Sequence, residues 1–183
     1  IDLAELPERG PLPEGGWLLF FADLDNDDAV DEADNEPGAK ARVFALPAGT
    51  DPVSGTPPAA LREVLRDRPV AFEPQLTLPD PYDAAEHFRL DPAEGEAYDA
   101  VALWLRFGDD GWSPDRCDHW VLGGVTGVQG HPTEAGTLLL LHLASDSELG
   151  FEFLDGGAIQ FRIPADALAA NNWRAARALA DSC

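Results

Sequence analysis

A chain of 183 residues, 45% hydrophobic with five Trp and nine Phe, has the apolar content for one domain or for two small halves sharing a core. It reads neither as a fibre nor as a repeat array, and no apolar run approaches the roughly 20 residues of a transmembrane helix. Its 34 acidic side chains against 12 basic ones leave a formal charge of -22, which argues against nucleic acid and anionic membrane as partners and favours a basic protein, cations or simple solubility.

In chain order, Pro11, Pro13, Gly15 and Gly16 form a turn that launches Trp17-Leu18-Leu19-Phe20-Phe21, an apolar run short enough to be a buried strand. A very acidic loop follows from Asp23 to Glu36. Arg42 to Leu46 alternates polar and apolar until Pro47 stops it, which predicts a second strand. Pro57-Pro58 opens a short helix with Leu61, Val64 and Leu65 on one face, and Arg68 to Leu78 is Pro-punctuated and β-leaning. Asp80-Pro81 and Asp91-Pro92 each place an N-cap residue before proline, with Asp83 and Glu94 three residues past the caps. The second of these helices carries Ala97, Val101, Trp104 and Leu105 at helical spacing, a stripe that needs something to pack on, and Gly108-Asp109-Asp110-Gly111 ends it.

Further along, Asp155-Gly156-Gly157 reads as a hairpin turn between Phe151–Phe153 and Ile159–Ile163. Asn171 or Asn172 caps a last helix with Trp173, Ala176 and Ala180 facing inward. Residues 136–165 echo residues 16–48: Gly136-Thr137-Leu138-Leu139 against Gly16-Trp17-Leu18-Leu19, and Gln160 to Ala165 against Val43 to Ala48. A duplicated strand-loop-strand unit within a single domain over 1–183 is one reading of this echo, and chance likeness between apolar β segments is the other. Strands and helices mix without a regular βαβ alternation, so the predicted class is α+β, with mostly antiparallel sheets and several short helices.

Two cysteines, Cys117 and Cys183, are too few for a disulfide framework. No export signal is visible, which leads to a cytoplasmic expectation. The chain contains no methionine and begins at Ile1, so sequence ahead of Ile1 is expected to be absent here. There is no dinucleotide fingerprint, P-loop, H-E-x-x-H, C-x-x-C or nucleophile elbow.

Four constellations remain. Asp23, Asp25, Asp27, Asp31 and Asp34 fall in an EF-hand register with Val30 at its apolar position, but Asp28 stands where the sharp turn requires glycine. A solvated acidic loop is therefore preferred to calcium. Cys117, His119, His131 and His142 match no standard zinc spacing, so no metal and no cofactor are expected. Trp104, Trp112 and Trp120 flank the loop from Gly108 to Asp118 and read as core first, as a partner surface second. His119 with Asp146 and Asp155 can do general acid-base work if the three converge; turn and buried-network roles explain them without a substrate and are preferred.

The order His119-Trp120-Val121-Leu122-Gly123, Val128-Gln129, Leu138-Leu139-Leu140-Leu141, Ser145-Asp146 and Asp155-Gly156-Gly157-Ala158-Ile159-Gln160-Phe161-Arg162-Ile163 resembles the YwqG-like family of bacterial proteins. The resemblance implies a compact α+β fold of curved antiparallel sheets, built as intertwined halves if the duplication holds. The family has no established activity. It marks His119, Gln129, Asp146 and Asp155 as the family-like polar residues, the candidates for binding a ligand or partner. It would place a glutamine at His142 and a Pro/Gly/Trp-rich segment ahead of Ile1. It also implies toxin-antitoxin or immunity-like settings for some relatives. The first functional expectation is accordingly a non-enzymatic interaction module in which Asp25 to Glu36 mimics phosphates and occludes the cleft of a basic partner. A hydrolase or small-ligand protein using His119, Asp146 and Asp155 is the alternative, and a calcium-binding loop the third.

Overall fold

The computed structural model describes residues 1–22, 41–57, 59, 68–109, 119–124, 136–153 and 156–181. The acidic stretch Asp23 to Glu36, the helix expected after Pro57-Pro58, Cys117, Gln129, His131, Asp155, Cys183 and Trp112 lie outside the described residues.

Among the described residues, two antiparallel sheets and a few helices make the fold α+β. Strand β1, Trp17–Ala22, pairs with β2, Ala41–Leu46, so that Trp17 opposes Leu46 and Ala22 opposes Ala41. The second sheet runs in the order β3 (His119–Trp120), β4 (Thr137–Ala144), β5 (Ala158–Pro164) and β6 (Arg177–Asp181). The first pair therefore lies in residues 16–48 and β4 with β5 in residues 136–165. Ahead of β1, a single 3-10 turn at Leu3–Glu5 is capped by Asp2, whose side chain accepts from the Ala4 N–H. That segment is tied to β1 by Leu18 N–H to the Ile1 carbonyl and Leu3 N–H to the Gly16 carbonyl, both 2.9 Å.

One apolar core joins both sheets. Ile159, Phe161 and Ile163 alternate along β5, and Leu3, Leu18, Val43, Leu140, Ala176 and Ala178 pack in the same cluster. The ring of Phe20 meets that of Phe161 edge-on at 5.1 Å, an arrangement that adds about 1 kcal/mol to simple burial. Because β5 is central, Ala158 to Ile163 are buried on both faces, unlike a sheet with one wet side. A β-bulge between Leu139 and Leu141 lets four successive β4 residues, Leu139 to His142, all be buried.

Both expected helix starts form. α1 spans Pro81–Phe88 and α2 spans Pro92–Phe107. At α2 the Asp91 carboxylate accepts from the Ala93 and Glu94 N–H groups at 2.9 Å, while Glu94 accepts from the Asp91 N–H, a complete capping box. Gly108 closes the helix at φ 69°, donating its N–H to the Trp104 carbonyl.

Three expectations are corrected. Residues 68–80 carry no strand; three prolines in or beside such a stretch remove ladder donors. Phe151–Phe153 does not pair with β5: Phe151 forms an isolated bridge with Asp146, and β5 is flanked by β4 and β6. The last helix is instead one 3-10 turn at Trp173–Ala175 followed by β6. Its alanines suit a helix in isolation, but the free edge of β5 needs backbone partners, and Ala176 and Ala178 fit that strand's close-packed core side. A five-residue helix, α3 at Ala165–Ala169, was not anticipated. Among the described residues, no helix is long and apolar enough to cross a membrane.

Candidate functional site

His119 and Asp146 are brought together. β3 pairs with β4 so that His119 opposes Leu143, and Asp146 follows the end of β4. The His119 Nε2 lies 3.2 Å from Asp146 Oδ2, and the His119 Nδ1 accepts from the Ala144 N–H at 3.3 Å. In the neutral ring these two partners select one tautomer: Nδ1 must carry the lone pair and Nε2 the hydrogen, which it donates to the carboxylate.

Asp146 is engaged on its other side as well. Its Oδ1 accepts from the Glu148 and Leu149 N–H groups at 2.8 and 3.0 Å, an Asx-type turn, and its backbone bridges Phe151 in both directions. Ser145 anchors the same loop: its hydroxyl accepts from the Phe153 N–H and donates toward the Gly157 carbonyl, both 2.9 Å. Within this geometry His119 has no free nitrogen to take a proton from a substrate, because a general base needs a lone pair directed at the reacting group. What the pair does is dock β3 onto the loop that follows β4. Asp146→Ala removes the acceptor of two backbone N–H groups and of the His119 ring, and is expected to cost about 2 kcal/mol in chemical denaturation. Asp146→Asn keeps one carbonyl oxygen and is expected to lose about half of that. Equal stability of Asp146→Ala and the parent would show that the loop is held by other contacts.

On the opposite face of the second sheet lies a polar row whose members the sequence does not group together. Trp120, His142 and Gln160 stand side by side on β3, β4 and β5. His142 and Gln160 are 3% and 1% exposed. Next to them the Arg162 guanidinium donates to Gln160 Oε1 at 3.0 Å and to Thr137 Oγ1 at 2.9 Å. The His142 Nδ1 is buried without a hydrogen-bond partner among the described residues. Burial, with the Arg106 and His119 charges adding to it, pushes the His142 pKa down to about 3, so the ring is neutral at ordinary pH. The legible signal was the alternation of Gln160 and Arg162 with Ile159, Phe161 and Ile163, which puts two polar residues on one face of a strand.

Trp120 also borders a cleft of about 20 Å³ with Gln75, Thr77, Ala102, Leu105 and Arg106, room for one water and not for a metabolite. Gly124 meets the 78–79 backbone directly: a Cβ there would lie 2.2 Å from the Leu78 carbonyl oxygen. Among the described residues, no group of three or more His, Cys, Asp or Glu is placed to hold a metal ion.

The outer surface of α2 differs from expectation. Its inner side is Tyr98, Ala102, Leu105 and Arg106, while Ala97, Val101 and Trp104 of the predicted stripe point to solvent. Val101 is 51% and Trp104 56% exposed, so Trp104 is surface and not core. The Trp104 indole N–H is held by Asp109 Oδ1 at 2.8 Å.

A family model for a domain of unknown function, DUF1963, matches residues 1–181. No curated protein matches the chain.

Proposed function

The chain belongs to the DUF1963 family, whose function is unknown, and we propose that this member is a non-enzymatic interaction module that captures a basic protein. The observation that carries the reading is the solvent side of α1 and α2, where exposed Glu86, Glu94, Glu96, Asp99 and Asp109 stand among exposed Phe88, Val101, Leu103 and Trp104. A mixed acidic and apolar surface on a chain of formal charge -22 attracts cationic partners over long range and gives them something to bury on arrival. The acidic stretch from Asp25 to Glu36 adds to the same field, and in this proposal it shields a basic cleft of the partner. The YwqG-like resemblance, with its immunity-like settings, supports the same reading. A hydrolase built on His119, Asp146 and Asp155 is less well supported, because both nitrogens of His119 already have partners.

The test is capture from a lysate of the source organism at low salt with release at high salt, followed by binding kinetics with the purified partner. The triple change Glu94→Gln, Glu96→Gln, Asp99→Asn is expected to slow association about tenfold at low salt and to flatten its salt dependence. Neutralising both this set and the aspartates from Asp25 to Asp34 without any change in association rate would sink the proposal.

A further inference from the structure

We infer that the outer stripe of α2 is a docking seam for an amphipathic basic helix of the partner, an inference that rests on the interaction reading above. The stripe is Ala93, Ala97, Ala100, Val101 and Trp104, all exposed. These positions recur at helical spacing over about 16 Å of one face. An apolar helix face of this kind is ordinarily the buried one, yet here the opposite side of α2 packs on the protein.

Three features specify the occupant. The alanines keep the seam low, so a second helix can approach to the usual 8 to 10 Å or so between axes. Val101 and Trp104 rise at one end as the knobs, and Trp104 is already fixed by Asp109, so little side-chain freedom is lost when it is covered. Tryptophan in that position is the residue type that most often dominates binding energy. Finally, at about 100° per residue Glu94 and Glu96 flank the stripe on either side. An apolar ridge edged by lysine or arginine complements that arrangement, as in other helix recognition. A second copy of this chain does not, since it brings acidic flanks where the seam calls for cationic ones, and each copy carries a formal charge of -22.

The experiment uses two synthetic peptides of identical composition, roughly four helical turns long. One has leucines at i, i+4, i+7 and i+11 edged by lysines, and the other has the same residues scrambled. Binding to the whole protein is measured by calorimetry at low and high salt. The patterned peptide is expected to bind at least about tenfold more tightly than the scrambled one, and Trp104→Ala with Val101→Ala to abolish that difference. Both positions are half exposed, so melting temperature should hold. Val53→Ala, at an exposed valine elsewhere, should leave the difference intact.

Equal binding of the two peptides, or indifference to the Trp104 and Val101 changes, overturns the docking seam while leaving the basic-partner reading standing. Absence of binding by either cationic peptide overturns both. A concentration-dependent dimer of the protein alone, lost on Trp104→Lys, assigns the stripe to a second copy and overturns the inference as stated.

Discussion

Lowering the pH from neutrality toward 3 is expected to destabilise this protein by on the order of 5 kcal/mol through His142. The ring is buried on β4 with Nδ1 unpartnered among the described residues, and its pKa is pushed down to about 3 from an ordinary 6.5. The folded state therefore holds His142 neutral in a range where the unfolded chain protonates it. Between those two values the unfolded state binds the extra proton, so stability falls as pH falls, by about 1.4 kcal/mol for each pH unit. Above about 6.5 both states hold the ring neutral and the penalty vanishes. Arg106 from α2 and His119 from β3 oppose the added charge, and the neighbouring Gln160 and Trp120 offer no compensating negative charge.

His142→Gln isolates this contribution, because it removes the buried imidazole and leaves the carboxylates of the chain in place. Glutamine also fits beside Gln160 without introducing a charge. In denaturant titration the unfolding free energy of the parent should fall relative to that of the variant as pH drops below about 6.5. Parallel curves for the two proteins from neutrality to pH 4 would mean that His142 is not held neutral by the fold.

The second large effect is at Gly16. Its φ is +103°, and a Cβ there would lie 2.1 Å from the Leu46 carbonyl oxygen and 3.0 Å from the Pro47 carbonyl carbon. Those are backbone atoms at the end of β2, opposite the start of β1, and they have no rotamer to escape into. Gly16→Ala combines a left-handed backbone penalty with a collision, and roughly 3–5 kcal/mol of destabilisation is expected. Gly49 and Gly55 grade the effect. Gly49 has φ +82° with open space around it, so Gly49→Ala should cost about 1–2 kcal/mol from conformation alone. Gly55 has neither constraint, and Gly55→Ala should stay within about 0.5 kcal/mol of the parent. If Gly16→Ala were no worse than Gly49→Ala, the close approach of β2 would have to relax freely.

Local chemistry made β1, β2 and the start of α2 legible. An apolar run after paired glycines, an alternation stopped by Pro47, and Asp91-Pro92 with Glu94 each act within a few residues of themselves. What failed depended on partners far away. Ala176, Ala178 and Ala180 favour a helix until the unpaired edge of β5 is considered. The stripe on α2 was recognised as apolar, but which side of the helix meets the body is decided by Tyr98, Ala102 and Leu105, and no spacing within the helix reveals that. His119 and Asp146 stand out in the sequence as a group with Asp155, but whether they converge is decided by the pairing of β3 with β4. Gln160 and Arg162 sit inside an otherwise apolar strand, and their shared face becomes visible only once strand alternation is applied to it.

The shared core also imposes an order on biosynthesis. Leu3, Leu18 and Phe20 leave the ribosome early, but Leu140, Ile159 and Phe161, against which they pack, follow about 120 or more residues later. At roughly 5–20 residues per second, that is an interval of some 6 s or longer in which an apolar β segment has been made and its cover has not. A chain wired this way has high contact order and must close a long loop before its first sheet gains a partner. Its vulnerability in the cell is therefore a matter of timing: the nascent N-terminal third is the species most exposed to aggregation and most dependent on chaperones.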